Sequence, residues 1–115
     1  MEVTFVRTSD ALIVGPAGRV DEATWKEFDS ELATAVLQTS RDGLETLIVD
    51  LSRVDYMSSR GLRALTVAKH QAQAVDVTIR LASPNDVMRE ILAISRYDRL
   101  FAIDDRVPAG RGAAS

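Results

Sequence analysis

Cysteine is absent from the 115 residues, which excludes disulfides, thiolate metal ligands and thiol catalysis. A single histidine, His70, excludes metal sites built from several imidazoles. Aromatic residues make up only 5% of the chain, and its 14 basic side chains are interspersed among 17 acidic ones for a net charge of −3. A nucleic-acid binder needs a basic stripe or a stacking surface; neither is there, so no nucleic-acid partner is expected. Long apolar runs are missing too. The longest covers about five residues, Ala11 through Gly15, far short of the roughly 20 that a membrane-crossing helix needs. The opening residues carry neither the basic flank nor the apolar stretch of a secretion signal, so a cytoplasmic protein without membrane insertion is expected.

What is present is the material of one globular domain: 46% hydrophobic and 27% charged residues. Val3 and Phe5 suggest a first strand, Thr8-Ser9-Asp10 a turn, and Ala11 to Val14 a second strand that a hairpin makes antiparallel to the first. Pro16 and Gly18 are expected to break that strand. Asp21 reads as a helix N-cap, followed by Trp25, Phe28, Leu32 and Ala35/Val36 on one helical face, with Trp25 expected in the core. Thr46 to Leu51 is a nearly continuous apolar run, the mark of a central strand. Ser58 to Gln73 predicts a helix with Leu62, Leu65 and Ala68/Ala72 inward, and the alternation of Val77, Ile79 and Leu81 predicts another strand.

Ser83-Pro84-Asn85-Asp86 predicts a helix capped by Ser83, with Val87, Met88, Ile91 and Leu92 as its buried stripe. Leu100 to Ile103 is a last short strand. The succession implies an α/β fold: a mixed, mostly parallel sheet with an antiparallel first strand and flanking helices. Residues 106–115 are small and Gly/Ala-rich, so they are expected to be a disordered tail behind one domain at 1–105.

Binding sites in parallel α/β sheets collect at the carboxyl ends of strands. Residues 49–65 leave the central strand there and open a helix with two adjacent serines, Ser58 and Ser59. The first N–H groups of a helix are unpaired and carry partial positive charge. A serine in that place can serve simply as a cap, or it can carry a phosphate in a favourable field.

The run Asp50-Leu51-Ser52-Arg53-Val54-Asp55-Tyr56-Met57-Ser58-Ser59-Arg60-Gly61-Leu62 resembles the signature of the STAS domain of bacterial anti-sigma factor antagonists. Gly18-Arg19-Val20-Asp21 upstream is similar to that family's approach to its first helix, and the resemblance extends over residues 3 to 104. It implies a STAS-type βα superhelix and a partner-switching function. On this resemblance the unphosphorylated protein binds an anti-sigma factor that is also a serine kinase of the histidine-kinase-like ATPase type. Phosphorylation releases it, and a PP2C-type phosphatase restores it. The acceptor falls on Ser59, with Ser58 as the rival, because Ser58 stands where many members have Asp. Gly18, Asp21, Tyr56, Met57, Ser58, Ser59, Arg60 and Arg63 are the expected partner contacts. Tyr56 and Met57 read equally well as loop-packing residues.

Two other functions compete. An accessory STAS subunit of a membrane lipid transporter would dock the same helix on an ATPase without a phosphorylation cycle; the Arg-Gly-Leu-Arg helix start favours the antagonist. A hydrolase with Ser59 as nucleophile would need a nearby base. His70 lies 11 residues on, about 16 Å along a helix, so no enzyme, cofactor or metal is expected.

Overall fold

The computed structural model describes residues 1–107. Strands β1 (Glu2–Arg7) and β2 (Ala11–Val20) are followed by helix α1 (Trp25–Arg41), strands β3 (Thr46–Asp50) and β4 (Val54–Met57), and helix α2 (Ser59–Ala74). Strand β5 (Thr78–Ala82), helix α3 (Asp86–Ile94), a 3-10 turn (Tyr97–Arg99) and strand β6 (Ala102–Asp104) complete it. The sheet runs β1-β2-β3-β5-β6, with β4 branching from β2. β1 is antiparallel to β2 and every other pairing is parallel.

Thr8 makes the hairpin. Its Oγ1 accepts the N–H groups of Asp10 and Ala11 at 3.2 and 3.0 Å, so the turn satisfies its own buried hydroxyl. Along the strands the side-chain period of two then sorts the core. Leu12, Val14, Leu47, Val49, Ile79 and Leu81 join Phe28, Leu32, Leu65, Met88 and Leu92 in one cluster. Ala11, Ile13, Ile48 and Ala82 belong to a second, smaller cluster on which Val107 packs. At the β5–β6 edge, Arg80 donates two hydrogen bonds to Asp104, at 2.9 and 2.8 Å. They hold the Asp104 carboxyl below the ordinary carboxylate range, against the opposing effect of its partial desolvation.

Several local expectations need correction. Pro16 and Gly18 do not end β2. Pairing with β3 stops at Val14↔Val49 and pairing with β4 begins at Gly18↔Val54, so Pro16 lies opposite a gap. The Gly18 N–H points to that side, donating to the Arg53 carbonyl at 2.8 Å. Two residues back, the N–H that proline lacks would have had no ladder partner. Asp21 is not the cap of α1, which begins at Trp25 after Thr24. Instead Asp21 Oδ1 accepts from the Ala23 N–H at 3.0 Å, and Thr24 Oγ1 accepts from the Asp21 N–H at 3.0 Å. This closes a turn one step ahead of the helix. α3 is capped by Asn85, not Ser83, whose φ of 55° places it in the left-handed region. Val87 is 51% exposed rather than part of the buried stripe. Val54–Met57 forms strand β4, where the sequence shows only a loop between the central strand and the serines. Of the tail expected at 106–115, only Arg106 and Val107 fall among the described residues; the rest of it lies outside them.

Candidate partner-binding and modification site

Two segments converge where β2 ends and α2 begins. The Arg19↔Tyr56 and Val20↔Met57 pairings align β2 with β4, and the Ser58 N–H donates to the Val20 carbonyl at 2.8 Å. Gly18, at φ 98°, adopts a conformation that side chains resist, and the β2–β4 register shifts just after it. That shift carries the chain out of the flat ladder and toward the serines. Gly61 has a different task. A Cβ added there would stand 2.5 Å from Met57 Cγ and 2.7 Å from Val20 Cγ1, so only glycine lets α2 start this close to the two strands.

The geometry gives the two serines different work. Ser58 is the N-cap of α2: its backbone is extended and its Oγ accepts from the Gly61 N–H at 3.4 Å. Ser59 is the first helical residue and is exposed, and its hydroxyl makes no hydrogen bond among the described residues. The first turn of α2 holds no acidic side chain, so the helix N-terminus around Ser59 has no fixed anion of its own.

Around Ser59 the surface is built from arginine–aromatic pairs. The Arg19 guanidinium lies 4.5 Å from the centre of the half-buried Tyr56 ring, and its Nε stands 3.7 Å from Asp21 Oδ2. Arg60 lies 5.5 Å from the centre of the Trp25 ring and pairs with Glu22 at 3.4 Å. A guanidinium over a ring face is attracted by the ring's quadrupole. Trp25 is therefore a correction to the core expectation: it is half-buried at the margin of the core, in a groove of about 360 Å3 with Asp29, Arg60, Arg63, Ala64 and Val67. A shallower depression of about 430 Å3 lies between β1, β2 and α1 and uses none of these residues.

Of the expected contact residues, the structure brings Gly18, Asp21, Tyr56, Ser58, Ser59 and Arg60 around the junction, and Arg63 stands one helical turn further on. Met57 is corrected. It is 2% exposed and belongs to the core, so its side chain is not offered to a partner. Arg19, Glu22 and Trp25 were missed, since only the β2–β4 pairing and the start of α1 bring them to the serine. Gly61 was visible in the motif, but its close packing was not. Among the described residues, no group of three or more His, Cys, Asp or Glu side chains is placed to hold a metal ion. No helix among them is long and apolar enough to cross a membrane.

Known proteins share this fold. BtrV of Bordetella bronchiseptica, provisionally named an anti-sigma factor antagonist, is 29% identical over 103 residues, covering 90% of this chain and 85% of that one. An anti-sigma factor antagonist from Mycobacterium paratuberculosis superposes with a TM-score of 0.73 at 18% identity, over 92% of this chain and 86% of that one. The Bacillus protein SpoIIAA superposes in its unphosphorylated form with a TM-score of 0.69 at 17% identity, over 89% and 87% of the two chains. Its phosphorylated form superposes with a TM-score of 0.62. Residues 2–109 match the sequence pattern of the STAS domain, and this chain belongs to the STAS-domain family.

Proposed function

We propose that this STAS domain is an anti-sigma factor antagonist working by partner switching in the cytoplasm. Unphosphorylated, it binds an anti-sigma factor of the histidine-kinase-like ATPase type and so frees a sigma factor. The kinase then transfers the γ-phosphoryl group of ATP to Ser59 Oγ: the new O–P bond replaces the bond to ADP, and the hydroxyl proton is lost. A PP2C-type phosphatase hydrolyses the ester and resets the protein. On this reading the chain is a substrate and a binding module, not a catalyst. The observation that carries it is the division of labour between the serines. Ser58 Oγ is engaged as the α2 cap, whereas Ser59 is exposed and its hydroxyl makes no hydrogen bond among the described residues. The name of BtrV and the two phosphorylation states of SpoIIAA support the same reading.

The phosphate acts locally. It adds about −1.5 to −2 charges to a chain whose net charge is −3. At the first position of α2 the unpaired N–H groups favour an anion, and Arg60 and Arg63 lie within one turn. The isolated domain therefore accommodates the dianion, while a partner packed over Ser59 must desolvate or collide with it. The test is intact mass after incubation with ATP and the cognate kinase. A single phosphate is expected on the unaltered protein and on Ser58→Ala, and none on Ser59→Ala. A phosphate that persists on Ser59→Ala and disappears from Ser58→Ala would move the acceptor to Ser58. Binding to a transporter ATPase, with no phosphate on either serine, would favour the transporter-subunit function instead.

A further inference from the structure

We propose that the groove between α1 and α2 beside Ser59 is a second anchor point for the kinase-type partner, and that it receives an apolar side chain flanked by a carboxylate. The inference rests on the antagonist function proposed above and extends its footprint from the serine to the groove.

Three observations converge. First, the floor is apolar and unfinished. The Trp25 ring, the Ala64 methyl and Val67, itself 37% exposed, line a space of about 360 Å3 open to solvent. In a chain with one tryptophan, leaving that indole partly exposed forgoes burial that a core position would have supplied. Tryptophan and arginine are the residues that most often dominate binding energy when a partner covers them.

Second, the rim is polarised. Arg60 and Arg63 stand on the α2 side and Asp29 on the α1 side. Arg60 already pairs with Glu22, whereas Arg63 has no hydrogen bond or ion pair among the described residues. On a chain of net charge −3 this is a local cationic edge, and its complement is a carboxylate directed at α2. The apolar part of the occupant then lies toward Trp25. On the α1 side Asp29 is offset by Lys26, whose Nζ lies 5.8 Å from the centre of the Trp25 ring, so that side offers the acid no net positive charge.

Third, the groove is continuous with the serine. Arg60 follows Ser59 directly and covers Trp25, so a partner seated over Ser59 meets the groove within one helical turn. A phosphate on Ser59 would also draw Arg60 toward itself and away from the occupant's carboxylate, which couples the two contacts.

The experiment is calorimetric titration of each histidine-kinase-like anti-sigma factor encoded in the source genome, purified singly, against the unaltered protein and four variants. Arg63→Glu and Val67→Glu lie on the exposed side of α2 and should weaken binding at least about tenfold. Ile94→Glu, on α3 and 76% exposed, should bind as the unaltered protein does, and the thermal melts of these three glutamate variants should coincide with that of the unaltered protein. Ser59→Asp separates the two proposals. If it weakens binding while both groove variants bind normally, the groove is overturned and the antagonist function stands. If Ser59→Asp binds normally as well, or if no kinase binds the unaltered protein, both are overturned together.

Discussion

Helices α2 and α3 begin in nearly the same way and finish their first turns differently. Both are entered through an extended N-cap: Ser58 at φ −76°, ψ 172° and Asn85 at φ −74°, ψ 177°. Asn85 accepts from the Met88 N–H at 2.9 Å, donates through Nδ2 to the Val54 carbonyl at 2.8 Å, and is followed at once by the carboxylate of Asp86. The Ser58 side chain makes one longer contact of 3.4 Å, and the uncharged Ser59 follows. The α3 start carries a permanent anion and is tied into the fold. The α2 start is lightly capped and holds a hydroxyl where α3 holds a charge. A phosphoserine at position 59 would give α2, reversibly, what Asp86 gives α3 for good. On the proposed function, a structural helix start and a regulated one would thus differ in how firmly the cap is tied and in whether the first helical position holds a charge or a hydroxyl.

The largest effect should come from disturbing how α2 is seated. Gly61→Val forces a side chain into Val20 and Met57 and should cost about 1–3 kcal/mol in denaturant unfolding. A neutral result would mean that the close approach of α2 is not needed to hold Ser59 in place. Next in size is the contrast between the caps. Asn85→Ala loses an accepted and a donated bond and should cost about 1–2 kcal/mol, against about 0.5–1 kcal/mol for Ser58→Ala. Equal losses in paired thermal melts would remove the distinction between a tied and a lightly capped start.

Ser59→Asp sharpens the comparison by copying α3 onto α2. It should leave the isolated domain as stable or raise its stability by about 0.3–1 kcal/mol, an increment that salt reduces. A clear loss of stability would contradict a vacant anion position there. The smallest effect lies away from both helix starts. Because Arg80 depresses the folded-state pKa of Asp104, their pair contributes stability above the carboxyl's unfolded pKa of about 4 and loses it as pH falls through the folded value. For a partly exposed pair this is a few tenths of a kcal/mol to about 1 kcal/mol. Acid titration of Asp104→Asn should therefore show a correspondingly shallower stability loss below about pH 4.

Much of the fold was legible because its signals are periodic. Leu62, Leu65, Ala68 and Ala72 share one helical face, and Leu47 to Val49 form a fully covered strand; both patterns survive any small error in element boundaries. β4 was not legible, because a four-residue strand that buries only Val54 and Met57 has no room to display alternation. The same shortness hid Met57, which read as a loop contact and is core. Asp21 misled for another reason: it does perform capping chemistry, but on the turn before α1, and residue type alone cannot distinguish the two. The serine pair was visible as a motif. Which serine caps and which is exposed depends on a helix boundary of one residue, below the precision of any pattern.

Trp25 offers a last consequence. It is the chain's one tryptophan, held under Arg60 beside the exposed Ser59, so the indole emission of this protein reports on a single place. A partner that seals the groove moves the ring out of water and shifts the emission to shorter wavelength. A phosphate that draws Arg60 aside changes the charge over the ring and alters its intensity. Both events could be followed in real time with no attached dye, which would make the order of release and modification in the proposed switching cycle a question for stopped-flow kinetics.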